Sequence, residues 1–85
     1  MTDITITMDE REKTHGDFDD VAFAAQSIKE IIAKSASGSL STQQQEALDM
    51  IATKIARISC GNPDEPDHWL DIEGYARLAR ESIDK

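Results

Sequence analysis

"STQQQEALDMIATKIARISCG", residues 41–61, decides how this chain folds. Ser41 followed by Gln44 has the form of a capping box, in which the serine hydroxyl accepts the N3 amide and the glutamine side chain returns to the serine N–H. Behind the cap, Leu48, Ile51, Ala52, Ile55 and Ile58 recur at helical steps on one face. Glu46, Thr53 and Arg57 fall on the other face, and Gly61 suits a left-handed position that closes the helix. The stretch predicts an amphipathic helix over 42–60.

Two further segments flank it. Upstream, the small polar loop SASGSLS is preceded by a run in which Val21, Ala22, Ala25, Ile28 and Ile32 share a helical face. Asp17, with Asp20 three residues on, can cap that run, so a helix is predicted over 17–35. Downstream, Asn62 to Pro66 make a turn and Asp64 or Asp67 can cap a third helix over 66–83. Its apolar face is Trp69, Ile72, Ala76, Ala79 and Ile83, with Trp69 read as a core anchor. Ile4 to Thr7 alternate like a strand but have no second strand to pair with, so residues 1–14 are read as an extended acidic arm.

The expectation is an all-α domain: a three-helix bundle, formed by a helical hairpin with the third helix packed across it, plus the arm. Eighty-five residues make one domain with a thin core, which predicts a homo-oligomer. No apolar run is long enough for a membrane span, the start lacks a secretory pattern, and the single cysteine, Cys60, fits a reducing compartment as a small apolar residue. A cytoplasmic location is expected. The net charge of −8 comes from two blocks, seven acids in residues 3–20 and five in residues 62–73. Such a chain repels nucleic-acid phosphates, so direct nucleic-acid binding is not expected, whereas the basic surface of a host protein is a plausible partner.

Polar side chains on the helices supply the candidate site. Asp67, Asp71 and Tyr75 form an i, i+4, i+8 stripe on the third helix, and Lys54 and Arg57 sit on the polar margin of the second. Either cation can pair with Asp71 or bind a ligand phosphate, and partly buried carboxylates can hold Mg²⁺. His15 stands just before Gly16 at the start of the first helix, where free N–H groups favour an anion, although Asp17, Asp19 and Asp20 already place negative charge at that end, which makes the cap reading the stronger one. His68 is a weaker candidate. Gly74 inside a helix costs about 1 kcal/mol relative to alanine, so a close neighbour is expected there, whether a helix or a ligand.

The segments "THGDFDDVAFAAQSIKEII", "QQEALDMIATKIARISCGNP" and "DHWLDIEGYARLARE" resemble a family of small phage and prophage proteins of uncharacterised function. That family is in turn similar to the all-α, MazG-like NTP pyrophosphohydrolases. The hydrolase resemblance implies a Mg²⁺ site, for which this chain offers Glu46, Asp49, Asp67 and Asp71, but it has no E-E-x-x-E motif. The leading expectation is therefore a phage-encoded module that binds a nucleotide or nucleotide-derived signal without catalysis, through His15, Lys54, Arg57, Asp67, Asp71 and Tyr75, with a possible role against host defence. An acidic inhibitor of a host protein and a Mg²⁺-dependent pyrophosphohydrolase are the alternatives.

Overall fold

Among the described residues there are four helices: α1 (Asp3–His15), α2 (Phe18–Ser35), α3 (Thr42–Cys60) and α4 (Pro66–Ile83). A computed structural model describes residues 3–84, with side chains from residue 8 onward. The Ser41 capping box is formed in both directions: Gln44 N–H donates to the serine hydroxyl at 3.0 Å, and the Ser41 N–H donates to the Gln44 side-chain oxygen at 2.9 Å. At α2, Asp17 accepts from the Asp20 N–H. At α4 neither proposed aspartate caps: the N-cap is Glu65, with no side-chain bond, and Pro66 starts the helix because its missing N–H costs nothing in the first turn.

The region read as an extended arm is helical from Asp3, and residues 1–2 lie outside the described residues. The physical reason is backbone satisfaction. An extended segment with no partner strand leaves its N–H and C=O groups to water, whereas a helix pairs them internally. No apolar periodicity announced this helix, since α1 has no apolar face and Met8 to Lys13 are exposed.

The arrangement also departs from a closed three-helix bundle. α3 is central, packing against α4 on one side and α2 on the other, while α2 and α4 do not touch. α1 touches α3 and α2. The result is an open layer of three helices with the end of α1 fixed on one face and the rest of α1 projecting from it.

The side chains that permit this are small. Among the described residues the buried apolar ones are Val21, Ala25, Ala47, Ala52 and Ala56, so α3 approaches both neighbours closely through alanines. The largest fully buried side chain is a histidine, His68. Trp69, expected in the core, is 54% exposed and is held instead by an indole N–H that donates to the Pro63 carbonyl at 2.8 Å.

Two glycine readings change as well. Gly61 has φ −115°, not a left-handed value; glycine is required there because its Cα lies against the backbone of Thr14 to Gly16. Gly74 has no neighbour within 4 Å of where a Cβ would stand, so no helix of the same chain packs on it.

Candidate functional site

The site is built where two chain reversals cross. Gly16, at φ +91°, turns the chain from α1 into α2, and its open side faces the Cys60 backbone. Gly61, directly after Cys60, presses on the Thr14–Gly16 backbone in return. The Asn62 N–H donates to the Thr14 carbonyl at 3.0 Å, which satisfies one of the orphan carbonyls at the end of α1. This crossing fixes the end of α1 against the end of α3 and the start of α4.

His68 completes the junction from α4. Its Nε2 lies 3.1 Å from the Thr14 carbonyl oxygen and 3.4 Å from His15 Nδ1. A carbonyl only accepts, so His68 Nε2 carries the hydrogen and donates to Thr14; His15 Nδ1, facing the same N–H, is then the bare nitrogen of a neutral ring. The two rings are tilted by 49° with centroids 5.0 Å apart.

Around this junction an open cleft of about 490 Å³ is lined by residues from three helices and the turn before α4. Its cations are Arg11 of α1 and Lys54 and Arg57 of α3; its acids are Glu10 of α1, Glu65 before α4, and Asp67 and Asp71 of α4, and His15 stands beside them. Lys54 is buried and pairs with Asp71 at 2.8 Å, while Asp71 remains partly open to solvent. The hydrogen-bonded Lys54 ammonium holds the Asp71 carboxyl below the ordinary carboxylate range, against a smaller opposing effect of desolvation. The stability this pair gives is therefore present above the unfolded carboxylate pKa near 3.9 and is lost only as pH falls through the lower folded value. Arg11 and Arg57 have no ion-pair partner among the described residues.

A second cleft, of about 460 Å³, lies on the other side of the same residues. Arg11, His15 and Arg57 line both, and the second adds an apolar wall of Phe18, Val21, Ala22 and Ala25 from α2. A cationic edge shared by a polar hollow and an apolar one suits a ligand that has both an anionic and a flat apolar part.

His15 is depressed below the usual histidine range, first by desolvation and then by the positive charges of Arg57, His68, Arg11 and Lys54. Between its folded and unfolded pKa values the unfolded chain binds the extra proton, so His15 lowers stability as pH falls below about 6.5. Urea denaturation should give a midpoint that drops between pH 7.5 and pH 5.5, and His15→Gln should shrink that drop; an unchanged drop would assign it to other groups.

Of the sequence-predicted ligand residues, His15, Lys54, Arg57, Asp67 and Asp71 line the one cleft. Tyr75 does not, because it is turned toward hollows on the far part of α4 with Leu78. Glu46 also faces that part, and Asp49 accepts a hydrogen bond from the Gln45 side chain at 3.0 Å. Glu46 and Asp49 thus lie apart from Asp67 and Asp71, and among the described residues no three His, Cys, Asp or Glu side chains are grouped to hold a metal ion. The Mg²⁺ set does not fit, and no metal-dependent step follows from it.

Sequence reasoning missed Arg11 and underrated His68. Arg11 belonged to a segment read as an arm, and a histidine next to an aspartate gave no sign that it would be buried at a helix crossing. The neighbouring pairs His15-Gly16 and Cys60-Gly61 were the available signal, since two glycines at helix ends allow two backbones to meet. No helix of the described residues is long and apolar enough to cross a membrane. A family model described as a domain of unknown function, DUF6378, matches residues 2–83. No curated protein and no solved structure matches the chain.

Proposed function

The chain belongs to the DUF6378 family, whose description assigns no activity, and from the cleft itself we propose that it binds a nucleotide or nucleotide-derived signal without catalysis. The observation that carries this reading is the sharing of Arg11, His15 and Arg57 between a polar and an apolar hollow. Arg57 and Arg11 take the phosphate, because a guanidinium offers paired donors and neither has an ion partner among the described residues. The base lies on the α2 wall of Phe18 and Ala22, which borders the same two arginines. Lys54 has a supporting role, since Asp71 already neutralises it. In the phage setting that the sequence resemblance implies, capture of such a signal would serve counter-defence.

The test is calorimetry with mono-, di- and cyclic nucleotides on the folded chain. At least one should bind, and Arg57→Ala should weaken it about tenfold to a hundredfold, the loss of one or two charge-assisted hydrogen bonds. No heat with any of them, while circular dichroism shows the helices intact, defeats the reading.

A second reading has its own support. Asp9, Glu10, Glu12, Asp17, Asp19 and Asp20 are all exposed along α1 and the start of α2. An acidic ridge of this kind suits the basic surface of a host protein, and that contact would weaken steeply with salt.

A further inference from the structure

Domains are ordinarily built from two packed layers, because a helix that buries one stripe needs something to bury it against. This chain has one layer of three helices and covers only one side of it. At about 100° per residue, the Lys54 and Arg57 side of α3 is the side toward α1, as their shared clefts with α1 show. The opposite side of the layer presents Ile28 and Ile31 from α2, Leu48, Ile51 and Ile55 from α3, and Trp69 from α4. None of these lines either cleft beside α1. Ile31 is 64% exposed, Ile55 42% and Trp69 54%. Along α3 this face has no charged residue, and the acidic ridge of α1 lies on the other side.

We infer that this face is the seat of a second copy of the chain, stacked layer on layer into a homodimer. Area supports that occupant. The accessible surface is 6243 Å², whereas a compact monomer of 9.4 kDa exposes about 5,000 Å². The excess, about 1,200 Å² per copy, exceeds the roughly 800 Å² per partner of a standard interface, leaving a share for the protruding α1. Shape agrees: the radius of gyration is 14.7 Å, against about 12 Å for a compact chain of this length. Among the described residues a core of one valine and four alanines is also too small to hold the layer alone, and a second copy is the partner present at matching concentration whenever the chain is made. The charged residues on this side, Asp20 of α2 and Glu73 and Arg80 of α4, flank the uncharged α3 stripe rather than interrupt it. The inference stands apart from the ligand reading, because face and cleft lie on opposite sides.

Sedimentation of the full chain, with thermal unfolding across about a hundredfold dilution, tests it. The chain should sediment at twice its mass and unfold at a higher temperature when concentrated. Ile55→Glu should raise the dimer dissociation constant at least about 30-fold, the loss expected at the centre of an interface, while Leu78→Glu, on the outer edge of α4 beside Gly74, should leave it unchanged. Should Ile55→Glu fail to fold, the emission of Trp69, the sole tryptophan, reports on the unaltered chain and should shift to the red over the same dilution that halves the mass. A monomer at every concentration, a dimer that only Leu78→Glu breaks, or dissociation with no change in Trp69 emission overturns the proposal.

Discussion

Gly61→Ala should remove about 3 kcal/mol of stability, a large part of what an 85-residue domain possesses. A Cβ on Gly61 would stand 2.6 Å from the Gly16 nitrogen and press on the Thr14 carbonyl oxygen, and every one of those atoms is backbone. Backbone cannot swing aside as a side-chain tip does, so the α1 end and the α3 end must separate. Separation breaks the Asn62 to Thr14 hydrogen bond and opens the cleft. Gly16→Ala should cost about as much or more, because its Cβ would meet the Cys60 carbonyl carbon at 2.6 Å and alanine at φ +91° adds backbone strain of about 1 kcal/mol. Gly74→Ala is the contrasting case. With open space around it and a helical backbone, it should gain about 0.5 to 1 kcal/mol. Urea unfolding of the three variants measures the order directly. If Gly61→Ala and Gly74→Ala shift the midpoint alike, the helix crossing is not the tight contact described.

These glycines also show which parts of the fold were legible in the sequence. Helices α2, α3 and α4 were readable to within a residue or so because each has a local signal: the Asp17 cap, the Ser41–Gln44 box, Pro66, and apolar residues at helical steps. α1 was not readable, since Ile4 to Thr7 alternate with strand-like period and the segment has no apolar stripe at helical spacing. How the helices sit together was also hidden. Helical spacing shows that α3 has an apolar face, but not that its alanines, rather than its isoleucines, meet the neighbouring helices. The conjunction of His15, Lys54, Arg57, Asp67 and Asp71 was anticipated as charged margins meeting in a hollow, and the structure does place those five around one cleft. Tyr75 was carried along by its i+8 position behind Asp67. Eight residues along a helix span about 12 Å, far enough to leave a cleft of this size.

His68→Ala should be the most damaging single change among the cleft residues, costing about 3 kcal/mol. His68 is 2% exposed and ties α4 to the end of α1, two helices with no other packing between them. Truncation leaves a cavity the size of an imidazole at the meeting point of three helices. It also removes the donor to Thr14, although that carbonyl keeps the Asn62 N–H and so is not orphaned. The two losses can be separated. His68→Phe refills the space with a somewhat larger ring and removes the hydrogen bond, so its cost should fall to about 1 to 2 kcal/mol. The damage should also be local before it is global. Among the described residues α1 packs on α3 and α2 only near its end and is tied to α4 by His68, so without His68 it should exchange amide hydrogens and admit protease well before α3 does. Hydrogen exchange on His68→Ala that leaves α1 as protected as in the unaltered chain would mean that the Gly16–Gly61 crossing holds α1 alone. Loss of α1 protection together with loss of nucleotide binding would place Arg11 and His15 where the cleft needs them.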